Sequence, residues 1–375
     1  MTAFGILVAL LVFGIIVVVH ELGHFIVAKL TGVQVNEFAI GMGPKLLGWG
    51  KGETRYTLRL LPIGGYCAME GEDAAGGGEV KLGEPILAND NPRAFYRKKV
   101  WQRMLVTVAG AAMNVLLGFV LLLVYFGVCT LPSRDGNAYY AGTTITWQET
   151  DAMSANGDLR VGDTVLAIDG KRVFSVFDIQ TLLQDSDDGV FEMRVRRMVD
   201  GKPTTVTLPA VEFLRTQDPK TGTWYLRYDF KVNPIKQTVW TTAKQAVRTE
   251  CSVAVTVWRS LGGLLTGRYG INELSGPVGT VDIIGDTVTG AMEQPWQIGL
   301  GNVVMLMAFL TVNVGIFNLL PVPALDGGRL LFLIWEGVTR KPVPQKYEAI
   351  VHAIGFVLLI LLIVVVTFHD VIKLF

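Results

Sequence analysis

The chain has 375 residues, half of them hydrophobic, and 33 basic residues balance 33 acidic ones for a formal net charge of zero. With that balance no basic surface argues for nucleic acid, so no nucleic-acid partner is expected. Charged residues are nearly absent from four stretches and frequent elsewhere. This pattern excludes one soluble globular domain and predicts a protein of the lipid bilayer with soluble parts. The cysteines are Cys67, Cys129 and Cys251, an odd number without a CxxC pair, so no disulfide framework is expected. A Cys129–Cys251 bridge stays open, and free thiols are the preferred reading.

About 20 apolar residues cross a bilayer as a helix. The first candidate runs from Thr2 to about Leu30. It lacks a basic n-region and a small-residue cleavage site, so it reads as a retained span and not as a signal peptide. Inside it, residues 15–27 read IIVVVHELGHFIV. A charged group near the centre of a span costs roughly 2.5–3.5 kcal/mol on insertion scales, which marks His20, Glu21 and His24 as functional candidates. Positions i and i+4 share a helix face, so both imidazoles can address one metal. The glutamate of an HExxH helix can then reach a water at that metal. The plainer reading is a set of polar residues at a helix end, in contact with headgroups or water.

The loop after this span contains ETRYTLRLLPIGGYCAMEGE, in which Tyr56, Leu58 and Leu60 alternate with polar residues. This predicts a strand followed by a turn at Pro62, Gly64 and Gly65. EDAAGGGEVKLGE is Gly-rich and acidic, hence expected to be flexible. Arg97, Lys98, Lys99 and Arg103 then precede a second span, from about Met104 to Leu131.

About 160 residues separate the second and third spans. LRVGDTVLAIDGKRV predicts a strand, an Asp-Gly turn and a strand; FEMRVRRMVDGKPTTVTLPAV predicts a second hairpin, around Asp200-Gly201. Between them FDIQTLLQDS predicts a short amphipathic helix. From Ile235 to about Leu265 the pattern is helical, with Trp240, Trp258 and Arg259, and fits either a helix packed on its own domain or one lying on the membrane. The third span runs from about Pro295 to Leu320, and the fourth from about Ala353 to Phe368, short enough that its flanks must contribute. Basic residues in short loops set orientation. Those before the second span, with Arg329, Arg340, Lys341 and Lys346 after the third, predict that both loops are cytoplasmic.

A catalytic zinc usually has three protein ligands and a water. His352 and His369 border the fourth span and are weak candidates for the third. FNLLPVPALDGGRLL, residues 317–331, offers Asp326, with helix-breaking Pro321 and Pro323 before it and the permissive Gly327 and Gly328 after it. On spacing alone Asp326 is open to two readings, third ligand or N-cap of a helix after an exit turn.

His20-Glu21-Leu22-Gly23-His24 in a first span, with Asn318-Leu319-Leu320-Pro321-Val322-Pro323-Ala324-Leu325-Asp326-Gly327 near the end, resembles the site-2 protease family of intramembrane metalloproteases, of the bacterial sigma-E regulator type. The resemblance covers essentially the whole chain. It implies Zn2+ held by His20, His24 and Asp326, Glu21 as the catalytic glutamate, and a part for Asn318 in substrate handling or transition-state stabilisation. RLLPIGGY looks like the family's membrane-associated β-hairpin, LSGPVG at residues 274–279 like another family element, and LRVGDTVLAIDGKRV like the core of a PDZ domain facing outside. Two departures stand out. Ala111 follows Ala109-Gly110 where the family usually has proline, although Asn114 keeps its place. The outer region has room for one PDZ-like domain where many Gram-negative members carry two, so gating by a pair does not transfer.

The expected fold is therefore a polytopic α-helical membrane protein, with four transmembrane helices, a membrane-associated β-hairpin and an inserted β-rich PDZ-like domain. The expected regions are 1–131 (two spans, HExxH and the hairpin loop), 132–212 (PDZ-like), 213–294 (connector with an amphipathic helix) and 295–375 (the last two spans). Asn318, Pro321, Pro323, Gly64, Gly65, Tyr66 and Asn114 are the candidate substrate-binding residues. The hairpin from Arg55 to Tyr66 is a candidate to hold unwound substrate by strand addition, or else a simple amphipathic surface hairpin. The expected activity is zinc-dependent hydrolysis within or near the spans of single-span membrane proteins, after a first cut by an upstream site-1-type protease. Anti-sigma factors or remnant signal peptides are typical family substrates. The expected location is the bacterial inner membrane, with both termini and the PDZ-like domain extracytoplasmic and the active site toward the cytoplasm. Two rivals are a catalytically silent scaffold that binds protein tails and a metalloprotease acting on soluble proteins.

Overall fold

The computed structural model describes residues 3–50, 52–72, 91–184, 188–217, 224–268, 270 and 275–374. The Gly-rich acidic stretch, Leu274 of LSGPVG and the end of FDIQTLLQDS lie outside the described residues. In chain order the elements are α1 (Ala3–Leu30), β1 (Val35–Trp49), β2 (Arg55–Met69), α2 (Val100–Val128), β3 (Tyr139–Gln148), α3 (Met153–Asn156), β4 (Thr164–Ile168), β5 (Lys171–Arg172), α4 (Val176–Gln184), β6 (Val190–Val199), β7 (Lys202–Glu212), β8 (Arg215–Gln217), β9 (Trp224–Leu226), β10 (Phe230–Lys236), α5 (Val239–Leu265), α6 (Pro277–Met292), α7 (Trp296–Asn318), α8 (Asp326–Thr339) and α9 (Gln345–Leu374). They form two compact units, residues 1–121 with 260–375 and residues 122–259.

Four helices are long and apolar enough to cross a membrane: Phe4–Leu30, Val100–Val128, Trp296–Asn318 and Lys346–Lys373. They coincide with the four expected spans. The fourth extends beyond Ala353–Phe368 at both ends, as its short apolar run required. α1 stops where Gly32 takes φ +73° and the Val33 N–H reaches the Ala28 carbonyl at 2.8 Å, a left-handed C-terminal cap.

In the first unit, β1 and β2 are both bent and pair along their length. Residues 35–40 lie between residues 65–69 on one side and 55–58 on the other, and residues 45–49 pair back onto 56–59. The passage through Pro62, Gly64 and Gly65 is thus inside one long bent strand, whose partner is β1. The expected strand at 55–60 is present, but its partner comes from upstream. Ala28, Val33, Val35, Phe38, Cys67, Met69, Phe95 and Val106 form the core joining this sheet to α1 and α2. A second core joins Ala9, Val12 and Ile16 of α1 to Ile284 and Val288 of α6, with Val303, Met307 and Leu310 of α7 against it. α6 lies in the expected connector, where no second helix was foreseen. Its N-terminus begins at Pro277, and the N–H groups of Gly276 and Gly279 donate to Asp370 of α9 at 3.2 and 2.8 Å. That contact accounts for most of LSGPVG, because a helix start leaves orphan N–H groups that a carboxylate satisfies.

The second unit is built on an antiparallel sheet in the order β10-β3-β4-β6-β7, with β5 on β4. Phe191, Met193 and Val195 of β6 are buried while Glu192, Arg194 and Arg196 face out, the period of two expected of a half-buried strand. Both Asp-Gly pairs make the foreseen turns, with φ +47° and +71° at Asp169 and Gly170 and +49° and +74° at Asp200 and Gly201. α4 covers the sheet with Ile179, Leu182 and Leu183. β10 comes from beyond Glu212 and pairs with β3, so the sheet reaches into the expected connector. For the same reason α5 starts at Val239: Ile235 and Lys236 belong to β10. Cys67, Cys129 and Cys251 are all free.

Candidate active site

His20 and His24 are one turn apart on α1, and their Nε2 atoms are 3.2 Å apart with the rings edge to face. Asp326 is the first residue of α8. Its Oδ2 lies 3.1 Å from His20 Nε2 and 3.4 Å from His24 Nε2. The N-cap reading thus gives way: Asp326 starts the helix, and its side chain points at the histidines. The turn that brings it there is tight. Ala324 takes φ +77°, and a Cβ on Gly327 would overlap the Leu319 and Leu320 backbone.

These donor atoms fit a metal. Among the described residues, His20, His24 and Asp326 are the group whose ligand atoms lie close enough together to hold one ion. Ligands at about 2.0–2.1 Å in a tetrahedron stand about 3.3 Å from one another, close to the three separations found. The Asp326 Oδ2 is buried with no hydrogen-bond donor facing it. A carboxylate oxygen buried beside two imidazole nitrogens is costly unless a cation lies among them.

The remaining ring nitrogens are held from α2. His24 Nδ1 donates to the Val106 carbonyl at 2.8 Å, which leaves the Nε2 lone pair for a metal. The Asn114 amide lies 3.3 Å from His20 Nδ1, and its Oδ1 has no partner. Amide oxygen and nitrogen are interchangeable in such an assignment. Turned over, Oδ1 accepts from His20 Nδ1–H, and the amide nitrogen takes the unpartnered position. Asn114 is fully buried behind His20, away from any exposed surface. Sequence reasoning grouped it with substrate-binding residues; in the structure its side-chain amide faces His20 Nδ1.

α1 and α2 approach closely at this level. A Cβ on Gly23 would stand 2.7 Å from the Ala109 carbonyl carbon, and one on Gly110 would stand 2.7 Å from His20 Nε2 and closer still to His24 Nε2. The glycine of HELGH admits α2, and Gly110 leaves the metal cluster its space. Gly110 was legible in the sequence only as part of a familiar Ala-Gly pair.

Glu21, half-buried, follows the first histidine, and the Cys67 backbone N–H hydrogen-bonds its carboxylate. A Cβ on Gly65 would lie 3.6 Å from Glu21 Cγ, so the outer edge of β2 passes directly beside this carboxylate. Gly64 takes φ +82°, the left-handed value that bends the strand there. Tyr66 is engaged within the sheet: its hydroxyl hydrogen-bonds Arg59, whose guanidinium lies 5.0 Å from the ring and donates to Glu37 at 2.9 Å. Burial and the nearby Glu37 carboxylate push the Tyr66 hydroxyl up to about 12. Thr57 and Arg59 hold the Glu37 carboxyl below its usual range against the opposing effect of burial.

Asn318 is the last residue of α7, and Pro321 and Pro323 lie in the turn from there to Asp326. His352 is not a ligand. Its Nδ1 accepts from the Ala324 N–H at 3.0 Å. α8 is fixed from two sides, by Arg329 on the Glu72 carboxylate at 2.6 Å and on the Phe95 ring, and by an Arg103–Glu336 ion pair. Sequence reasoning missed Val106, Cys67 and Arg329 as parts of the site and weighed His352 only as a weak ligand, since each acts across a long sequence separation.

Comparison with known proteins agrees with this geometry. The sequence matches Peptidase family M50 over residues 8–362. It is 32% identical to the zinc metalloprotease RasP of Bacillus licheniformis, over 98% of each chain. It is 30% identical to the regulator of sigma-W protease RasP of Bacillus subtilis, also over 98% of each. The zinc metalloprotease RasP of Shouchella clausii is 30% identical over 97% of this chain and 98% of its own. With a match across nearly its whole length and the HExxH and Asp326 clusters assembled in one place, the chain belongs to Peptidase family M50.

Proposed function

We propose that this protein is an intramembrane zinc metalloendopeptidase that hydrolyses peptide bonds within or beside the spans of membrane proteins. One observation supports this reading above others: His20, His24 and Asp326 converge, with Glu21 beside them, on a helix apolar enough to cross a bilayer. When bound, zinc supplies Lewis-acid polarisation and brings the pKa of a water down to about 7. Glu21 takes the proton of the attacking water on its carboxylate and delivers it to the leaving amine nitrogen. Val106 and Asn114 hold the two imidazoles in orientation from their Nδ1 sides, with both Nε2 atoms turned toward Asp326.

A helical substrate must unwind before its scissile bond is exposed. Residues 65–69 of β2 are an edge segment of the sheet and run beside Glu21. They can take an extended peptide by strand addition, with Gly64, Gly65 and Tyr66 along the approach. Asn318, Pro321 and Pro323, in the segment that leads to Asp326, are assigned to contact the same peptide. Met42, Leu46, Leu47, Trp49, Leu60 and Leu61 are exposed on the sheet, which fits a hairpin embedded in lipid.

The substrates in this reading are single-span proteins already trimmed by another protease, such as anti-sigma factors; the sigma-W regulator name of one relative fits that class. The first two spans and the hairpin, a PDZ-like domain whose sheet runs on to β10, and the last two spans keep the roles expected of them in this reading. The basic loops face the cytoplasm of a bacterial inner membrane, with both termini and the PDZ-like domain outside. With the native cysteines replaced, Cys at Asp169 labels with an impermeant thiol reagent in intact cells and Cys at Lys98 does not; the reverse pattern contradicts this orientation.

The activity test uses the purified protein in proteoliposomes with a single-span reporter. The expected result is one zinc per chain and cleavage within or next to the reporter's span, abolished by chelation. A zinc-loaded protein that binds protein tails and cleaves no span favours the scaffold reading instead.

A further inference from the structure

The turn that carries Asp326 is held by α9, which supplies no metal ligand. Ala324, two residues before Asp326, has φ +77°, a conformation that strains an alanine and persists only where its surroundings impose it. Its N–H donates to His352 Nδ1 at 3.0 Å. The amide is the donor, so Nδ1 is the unprotonated ring nitrogen. One turn along the same face of α9, the backbone of Gly355 lies under Pro323, where a Cβ would stand 2.8 Å from the Pro323 carbonyl. The ring of Phe332 in α8 packs 5.8 Å from the imidazole. Three elements thus close on one point: the turn, the helix that Asp326 begins, and α9.

α9 itself is anchored at its far end. Asp370 accepts from the N–H groups of Gly276 and Gly279 at the start of α6. Asp370 lies 18 positions beyond His352, about 27 Å along the helix. α9 is mostly exposed along that length, and these two polar contacts fix its position on the unit it belongs to.

We infer that His352 is a positioning residue for the metal centre: by accepting from the Ala324 N–H it holds the left-handed turn that aims Asp326 at His20 and His24. This rests on Asp326 being a zinc ligand. Without the acceptor the partly buried Ala324 amide loses its partner, the turn relaxes toward an ordinary dihedral, and the carboxylate leaves the imidazoles.

The test compares three variants of the full protein in detergent, reading zinc loss to a chelator and cleavage of a single-span reporter. His352→Leu removes the acceptor, His352→Gln moves it one bond outward, and His352→Asn keeps an amide oxygen near the position of Nδ1. His352→Leu and His352→Gln are expected to lose zinc about tenfold faster or more and to lower kcat about as much, with KM little changed. His352→Asn is expected to restore both to near the wild-type value. A merely structural role would not separate Asn from Gln. Should His352→Leu fail to accumulate, His352→Gln against His352→Asn gives the same reading. The inference is overturned if His352→Gln retains zinc and kcat as the wild type does, or if His352→Asn is as defective as His352→Gln. Asp326→Asn serves as reference. If it retains zinc, the ligand reading fails; if it loses zinc while the His352 variants do not, only the positioning role fails.

Discussion

The backbone of Gly110 in α2 lies directly against Nε2 of His24, so that a side chain there would overlap the His20 and His24 imidazoles. Neither partner can yield, because His24 is tied to Val106 on the same helix. Gly110→Ala is therefore expected to lose zinc and to lower cleavage about 10²-fold or more, the effect of a displacement near 1 Å at a reacting centre. Gly127→Ala is the control. It lies in the same helix with nothing within 4 Å of the added carbon, and both zinc content and cleavage are expected to stay at wild-type levels.

Asn114 lies behind His20 as Gly110 lies before it. If its amide oxygen accepts from His20 Nδ1–H, Asn114→Leu weakens zinc binding by about 10- to 100-fold, as loss of such outer partners does. Asn114→Asp retains an acceptor and is expected to bind zinc more tightly than Asn114→Leu. Zinc affinity by competition with a chelator distinguishes them. Equal affinity in both variants and the wild type would remove Asn114 from the metal centre.

The legible part of this molecule was local. Four apolar runs marked the spans, and the i, i+4 spacing of His20 and His24 fixed their shared face, since both properties depend on neighbours within a few residues. The Asp-Gly turns at Asp169 and Asp200 were legible for the same reason. What was not legible depends on distant partners. Residues 65–69 pair with 35–40, which no alternation within 55–66 reveals. β10 joins a sheet begun some 90 residues earlier, at Tyr139. α6 is too short and too mixed in character to announce itself, and its start is set by Asp370, far along the chain. Asp326 was open between ligand and cap until the turn at Ala324 showed which way the carboxylate points.

β10 bears on how the second unit is tested for control of substrate access. A deletion of residues 135–210 removes β3 and leaves Phe230–Lys236 with unpaired strand edges. A deletion of 135–236 removes the sheet entire. If the second unit excludes bulky substrates, the longer deletion permits cleavage of an untrimmed reporter and spares that of a trimmed one. Slower cleavage of both by a zinc-loaded deletion protein means that the domain recruits substrate instead.

Glu250 in α5 introduces a pH dependence. Its Oε1 is buried without a partner, and burial pushes the carboxyl up to about 7 from an ordinary 4.5. The folded state therefore favours the protonated form. That contribution is fully present below about 4.5, where both states are protonated, and is lost as the pH rises through about 7. Glu250→Gln is expected to raise the unfolding temperature at pH 8 and to leave it unchanged at pH 4. A variant that unfolds at the wild-type temperature at pH 8 contradicts a buried, unpaired carboxylate.

The most direct test of the account is Glu21→Gln, read for zinc content and for cleavage of a single-span reporter in proteoliposomes. Glu21 is held beside the cluster and is not one of the three converging ligands. The account predicts one zinc per chain as in the wild type, with cleavage reduced about 10²- to 10⁴-fold by loss of the proton carrier. Cleavage at the wild-type rate by the zinc-loaded variant would contradict it.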